Sequence, residues 1–231
     1  MAPQRPTPTA ELTTARETIE RGLDALRFDP EPLVIDRLTS LAGLLSNWAP
    51  RMNLTGHRGA VEITRRLILD ALALIESLPE FESLADLGSG AGFPGLPIAI
   101  LFPDRKLVSV EARSRRVSFQ KTVVRELGIQ NVTILHGRIE SLDPQPCQGV
   151  VAQAVAPPER VLEWLLPWCE DGGWLAIPGS EESLASPPRD APTHEHARVL
   201  SYRVPLRGAD RRVWLARKCA VAPAQPGPDP D

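Results

Sequence analysis

The chain has 231 residues, a formal net charge of −3 and an apolar content of 42%. This composition supplies the core of one large domain, with room for a small helical extension. The slightly acidic balance argues against a generally basic nucleic-acid coat, although it permits a local basic patch. No apolar run approaches the ~20 residues of a membrane span, and the N-terminus lacks the apolar stretch of a signal peptide. We therefore expect a cytoplasmic protein without membrane association.

The first part of the chain predicts helices. A Pro/Thr-rich tail over residues 1–8 is expected to be disordered. Apolar residues then recur at helical spacing over residues 11–26, 32–50 and 61–78, with prolines at the breaks. Together these segments predict a helical cap over residues 9–80.

The rest of the chain alternates predicted strands and helices. Short apolar runs predict five strands, at residues 84–87, 106–111, 131–136, 149–155 and 173–177. Helices are predicted at residues 96–102, 114–127 and 158–168, and a pair of antiparallel strands at residues 198–204 and 212–218 closes the pattern. The pattern predicts an α/β domain over residues 81–219 with a mostly parallel sheet, followed by a disordered tail over residues 220–231.

A glycine-rich turn follows the first predicted strand, with the sequence Asp86-Leu-Gly-Ser-Gly-Ala-Gly-Phe-Pro-Gly95. Glycine lets the backbone take positive φ and approach a ligand without a Cβ in the way. The free N–H groups of the following helix start favour an anionic group. The next strand ends at Glu111, where an acid can bind a pair of ribose hydroxyls. The arrangement predicts a cofactor site.

Two cofactor classes use such a site. The segment from Gly90 to Gly95 satisfies the G-x-G-x-x-G fingerprint of dinucleotide-binding proteins. Asp86 with Gly88, Gly90 and Gly92 satisfies the acid-plus-three-glycines pattern of class I S-adenosylmethionine methyltransferases. Asp86 favours the second class, because a carboxylate under the loop can orient it and help hold the cationic amino-acid end. The closing antiparallel pair also disfavours an NAD(P)-dependent oxidoreductase, whose domain continues with βα units.

A metal site is not predicted. His194-Glu-His196 is the one suggestive run, but it lies in a Pro-rich polar stretch without a third ligand. We interpret this run as a solvated loop.

Further segments extend the pattern well beyond the glycine turn. They are Trp48-x-x-x-Met52-Asn53-Leu-Thr55, Ile68-Leu-Asp70, Leu96-Pro-Ile98, Glu111-Ala-Arg-Ser-Arg-Arg-Val-x-Phe119, Gly137-Arg-Ile-Glu140 and Gln153-Ala-Val-Ala156. With these segments the chain resembles the bacterial RsmG (GidB) family from about residue 35 to residue 218. The resemblance implies a class I, Rossmann-like methyltransferase fold of seven strands with S-adenosylmethionine as cofactor. It implies methylation of a guanine N7 in 16S ribosomal RNA, with the small ribosomal subunit as partner. We also expect a monomer.

The resemblance also implies site residues. Those predicted to contact the cofactor from the resemblance are Gly88, Phe93, Ile139, Glu140 and Gln153, and those predicted from the residues themselves are Asp86, Gly90, Gly92 and Glu111. Alternatives stay open, since Phe93 and Ile139 can flank the adenine or belong to the core, and Glu140 can contact the adenine edge or cap a turn. In the cap, Asn53, Arg66 and Asp70 are the predicted substrate-binding residues. No general base is predicted, because guanine N7 carries a lone pair and no proton.

The chain departs from the family at three positions that face the RNA. Leu67, Gln153 and Pro178 stand where the family has His, Arg and Lys. Cofactor binding is therefore expected to be preserved and RNA binding to be weaker. The alternative hypothesis is an S-adenosylmethionine-binding paralogue with another substrate or weakened activity.

Overall fold

The structure, a computed structural model, describes residues 8–153 and 158–220. Most of the two predicted tails, and the end of the fourth predicted strand, lie outside the described residues. Pro8, assigned to the N-terminal tail by its composition, is the first residue of a helix.

The described residues form helices around one central sheet. The helices are α1 (Pro8–Ala25), α2 (Pro32–Met52), α3 (Ala60–Ile63), α4 (Leu69–Glu76), α5 (Gly95–Leu101), α6 (Ser114–Glu126) and α7 (Pro158–Trp168). The strands are β1 (Ser83–Leu87), β2 (Lys106–Glu111), β3 (Val132–His136), β4 (Cys147–Val151), β5 (Cys169–Gly179), β6 (His194–Val204) and β7 (Ala209–Lys218). A π-helical segment, Thr64–Ile68, joins α3 to α4, and a 3₁₀ turn, Ile139–Ser141, follows β3.

The sheet has seven strands in the order β3-β2-β1-β4-β5-β7-β6. The first five strands are parallel to one another, whereas β7 runs antiparallel to both β5 and β6. Central parallel strands are covered by helices on both faces, which explains why the sequence shows them as continuous apolar runs. The predicted α/β class, with its mostly parallel sheet and closing antiparallel pair, is confirmed.

Two helix predictions in the cap were wrong in detail. Pro50 does not end α2, which continues to Met52. The proline has no backbone N–H, so α2 lacks one hydrogen bond in its last turn without being broken, and the helix ends where Asn53 takes a left-handed conformation at φ 51°. Farther on, the predicted third helix is interrupted by Thr64–Ile68, because the wider π turn inserts an extra residue that apolar periodicity does not reveal.

The cap and the sheet share a core. Leu38 and Leu41 of α2 belong to the same buried hydrophobic cluster as Leu84 of β1 and Leu107 of β2. This hydrophobic cluster includes residues on both sides of the predicted domain boundary between residues 80 and 81. The helical cap therefore packs directly on the sheet, and the boundary itself stays a prediction.

The prediction of a solvated loop around His194 was wrong. His194 begins β6 and is 2% exposed, and its ring lies 5.5 Å from that of Trp214. Its Nε2 donates to the carbonyl of Arg189 at 2.8 Å, and its Nδ1 lies 3.0 Å from the hydroxyl of Thr193. Two satisfied ring nitrogens make burial favourable, so this histidine fastens the preceding segment to the sheet.

We expect Gly149→Ala to destabilise the protein by about 1–3 kcal/mol, the cost of overpacking a core. Gly149 lies opposite Trp174 in the β4–β5 register, and a Cβ there would overlap the indole ring. Urea unfolding measures the effect. The control is Gly56→Ala, where a Cβ would meet no atom within 4 Å; equal stabilities of the two variants would contradict the prediction.

Candidate functional site

The glycine turn after β1 is bent over the end of β2. The N–H groups of Gly88 and Ser89 both donate to the carbonyl of Val110, at 2.8 and 3.0 Å. Gly88 and Gly90 have φ of 75° and 61°. A Cβ on Gly90 would have only Arg116 Nη1 nearby, at 3.7 Å, so the space above this residue is open. A ligand can therefore lie directly on the loop backbone.

Glu111, at the end of β2, holds this loop from the side. Its carboxylate accepts the Gly90 N–H at 2.9 Å and the Arg113 N–H at 2.7 Å, and Arg116 Nη1 lies 3.4 Å away. The residue is 4% exposed, so it is not a surface acid. Oε2 accepts from both Gly90 and Arg116, whereas Oε1 accepts only the Arg113 N–H and keeps a second acceptor site. Binding of the ribose hydroxyls by Glu111 stays a prediction.

Asp86 lies below the loop rather than in the open space. It is 1% exposed, and its Oδ2 accepts the Gly95 N–H at the start of α5, at 2.9 Å. Burial raises the pKa of this carboxyl to about 7; the Gly95 hydrogen bond opposes the shift and the charge of Glu111 adds to it. The geometry suits a role in orienting the loop. Direct contact between Asp86 and the cofactor stays a prediction.

Asp86→Asn tests the burial of this carboxyl. The pKa is about 7 in the folded protein, against 3.8 for an ordinary Asp. Protonation therefore favours folding, and this stabilisation is present in full below the ordinary pKa and lost as the pH rises to about 7. The Asn variant keeps an oxygen for the Gly95 N–H and does not titrate.

Between about pH 4 and pH 8, we expect the free energy of unfolding to fall further in the wild type than in Asp86→Asn, by up to about 1.4 kcal/mol for each unit of pKa difference. Urea titrations at several pH values measure this difference. Parallel curves for the two proteins would mean that Asp86 ionises as an ordinary acid.

A cleft of about 550 Å³ opens above the glycine loop. Of the predicted cofactor residues, it brings together Gly88, Gly90, Phe93, Glu111, Ile139, Glu140 and Gln153. It does not include Asp86 or Gly92. Gly92 has φ 89°, and a Cβ there would overlap Leu96 of α5, so a glycine is needed for packing; its contact with the cofactor stays a prediction.

A buried polar network also supports the loop, and sequence reasoning missed it. The side-chain amide of Gln120 in α6 donates to Ser89 Oγ and to the carbonyl of Gly90, both at 2.8 Å. Its Oε1 accepts from the hydroxyl of Ser109 in β2 at 2.7 Å. Satisfied networks of this kind make a backbone conformation rigid. The sequence feature that could have indicated this network is the glutamine in the helix after β2.

The predicted substrate residues lie beside the cleft. Asn53 ends α2, and the next two residues, Leu54 and Thr55, line the cleft. Arg66 and Asp70 line a small pocket of about 30 Å³ that shares Leu67, Phe93 and Gln153 with the cleft. Asp70 is 7% exposed. Its binding of substrate stays a prediction, as do the roles of Asn53 and Arg66.

Trp164 in α7 is a candidate residue that the sequence analysis missed. The buried face of α7 carries Val161, Leu162, Leu165 and Trp168. Trp164 is half-buried, lines the cleft and lies under the guanidinium of Arg160 at 5.2 Å. An aromatic ring at the edge of an apolar stripe was the only signal. Its flat face is suited to stacking on an adenine.

We expect ligand binding to change the fluorescence of Trp164. Titration with S-adenosylhomocysteine should alter the emission of the wild type, and Trp164→Phe should remove that response. Trp48→Phe is the control, since Trp48 is half-buried but packs on Phe119 at 5.7 Å. Trp164→Ala should weaken binding by about 0.5–1.5 kcal/mol, the scale of an aromatic contact. An undiminished response in Trp164→Phe would contradict the assignment.

The sheet order and the glycine-loop cleft define a class I S-adenosylmethionine-dependent methyltransferase. The family model for rRNA small subunit methyltransferase G (GidB) matches residues 34–203. The chain belongs to this family, which confirms the resemblance seen in the sequence. The loop fits S-adenosylmethionine because the space that a side chain on Gly90 would enter is open.

Individual relatives agree with this assignment. The ribosomal RNA small subunit methyltransferase G of Azoarcus sp. is 36% identical over 165 residues, 71% of this chain and 78% of the relative. The protein of the same name from Pseudomonas paraeruginosa is 32% identical over 88% of this chain and 96% of its own length. A Klebsiella pneumoniae protein, named as a candidate O-methyltransferase, superposes with a TM-score of 0.56 at 20% identity, covering 86% of this chain and 94% of its own. That likeness shows the fold alone.

Proposed function

We propose that this chain transfers a methyl group from S-adenosylmethionine to N7 of a guanine in 16S ribosomal RNA. The observation that carries the proposal is the cleft, in which most of the predicted cofactor residues meet above the glycine loop. Membership of the family of rRNA small subunit methyltransferase G supports the RNA substrate. The position N7 comes from the resemblance and from the chemistry of the cleft.

The cleft is suited to an acceptor that needs no deprotonation. When bound, S-adenosylmethionine supplies a methyl group activated by its sulfonium. The described residues that line the cleft include neither histidine nor cysteine, and their only carboxylates are Glu111 and Glu140. Glu111 already accepts two backbone N–H groups. An acceptor nitrogen with a free lone pair can react by alignment alone, and positioning contributes a large part of such catalysis.

We assign different parts of the cleft to the cofactor and to the guanine. We place the adenosine beside Ile139, Glu140 and Trp164, and the cofactor over the backbone of Gly88 and Gly90; all five residues line the cleft. The cleft and the small pocket beside Asp70 share Leu67, Phe93 and Gln153. We place the guanine at this junction, where the methyl group can be presented between the cap and the end of β4.

Local charge at the cleft suits a polyanion, although the whole chain has a net charge of −3. Arg113, Arg116 and Arg138 line the cleft. Arginine side chains bind phosphates through several N–H donors at once. RNA binding therefore depends on a local positive surface rather than on the total charge.

The proposal includes a monomer that acts on the small ribosomal subunit in the cytoplasm. Across residues 8–153 and 158–220, no helix is long and apolar enough to cross a membrane.

Methyl transfer is measured with radiolabelled S-adenosylmethionine, on 30S subunits and on naked 16S rRNA, at two salt concentrations. We expect label at guanine N7, located by borohydride and aniline cleavage at the modified base. Gln153→Arg restores the charge that the family carries at this position and should increase the labelling, because it adds an electrostatic contact to the RNA. Calorimetry with S-adenosylhomocysteine checks that each variant still binds the cofactor site.

The alternatives give different results. A protein that binds S-adenosylhomocysteine but labels no RNA would be a paralogue with another substrate. Binding of NADH without binding of S-adenosylmethionine would overturn the cofactor assignment itself.

A further inference from the structure

The turn of the β6–β7 hairpin brings arginines against the cap. Arg211 Nη2 lies 3.2 Å from Asp70 Oδ2, and the hydroxyl of Tyr202 donates to Asp70 Oδ1 at 3.1 Å. Arg207, in the turn, interacts electrostatically with Asp70 and also with Arg66 and Arg211. We define Arg66, Arg207 and Arg211 as the arginine cluster; Arg207 and Arg211 act on the buried Asp70 carboxylate, and Arg66 lies beside Arg207.

The charges in this cluster do not balance. The guanidinium groups of Arg207 and Arg211 face the single carboxylate of Asp70, whose two oxygens already accept from Tyr202 and Arg211. Arg66 adds a third positive charge beside Arg207. Among the described residues, Arg207 Nη1 and Arg211 Nε are buried and have no hydrogen-bond acceptor. A buried charged donor without an acceptor is unfavourable. An anion at this point would supply the missing acceptors.

Electrostatic repulsion among the three arginines also favours a bound anion. Burial lowers the pKa of Arg207, and the like charges of Arg66 and Arg211 lower it further. A bound anion would offset both effects, because it neutralises the excess positive charge and accepts N–H groups.

The arginine cluster lies at the acceptor end of the cleft. Arg66 and Asp70 line the small pocket that Gln153 shares with the cleft. Arg211 lines an adjoining pocket of about 320 Å³, together with Gln153 and Pro178. Gln153 and Pro178 stand where the family has Arg and Lys, so the hairpin supplies positive charge beside the positions where this chain lacks it.

We propose that Arg66, Arg207 and Arg211 form a phosphate-binding site for the RNA backbone next to the methylated guanine. Asp70 acts as a positioning residue that holds Arg211 against the cap. The guanidinium groups match phosphate through paired N–H donors. This inference rests on the proposed function, because it assigns the surface on which that RNA lies.

The salt dependence of RNA binding tests the proposal. The affinity of naked 16S rRNA is measured over a series of salt concentrations for the wild type, Arg207→Gln and Arg198→Gln. Arg198 is the matched control, an exposed arginine of β6 near the other end of the hairpin. Loss of one phosphate contact should lower the log–log slope by about 0.7–0.9 in Arg207→Gln. The control should keep the wild-type slope, and Arg207→Lys, which retains the charge, should restore most of it.

Each protein is also assayed for its melting temperature, its affinity for S-adenosylhomocysteine and its methylation kinetics. The proposal predicts unchanged cofactor affinity and a higher KM for RNA at similar kcat in Arg207→Gln. Equal slopes for Arg207→Gln and Arg198→Gln, with a wild type that methylates the RNA, would overturn the phosphate site and leave the proposed function intact. A wild type that neither binds nor methylates the RNA would overturn the proposed function, and the phosphate site with it.

Discussion

Two carboxylates at neighbouring strand ends hold the glycine loop, and the cleft depends on them. Asp86 binds the Gly95 N–H from below, and Glu111 binds the Gly90 N–H from the side. The loop backbone could not stay open to a ligand without such acceptors, because its residues have left the hydrogen-bonding pattern of the strands. Burial disfavours the charged form of Asp86 and raises its pKa, so its ionised state is unfavourable in this position.

The cap is part of the site rather than an attachment to it. Leu54, Thr55 and Leu67 come from the cap and line the cleft, while Asp70, in α4 of the cap, accepts a hydrogen bond from Tyr202 of β6. The shared hydrophobic core keeps these walls in register with the glycine loop. The acceptor side of the cleft is therefore shaped by contacts among cap, loop and hairpin together.

Positive charge is placed locally in a chain that is acidic as a whole. The arginines of the cleft come from the segments that follow β2 and β3, whereas Arg207 and Arg211 come from the far end of the chain. Gln153 and Pro178 carry no charge, and Arg211 of the hairpin lines a pocket together with both. The same electrostatic requirement can thus be met by residues from different elements.

The sequence by itself determined the α/β class with its mostly parallel sheet, the glycine loop and most residues of the cleft, because these depend on local patterns. Apolar runs mark buried strands, and parallel strand ends meet at one edge, so Asp86 and Glu111 had to lie close together. Only the tertiary structure decided that Asp86 lies beneath the loop, that the π segment brings Leu67 to the cleft, and that Trp164 forms a wall. It alone decided that Asp70 meets Tyr202 across 132 residues of chain. Contacts between segments so far apart leave no periodicity in the sequence, because they depend on how whole elements pack.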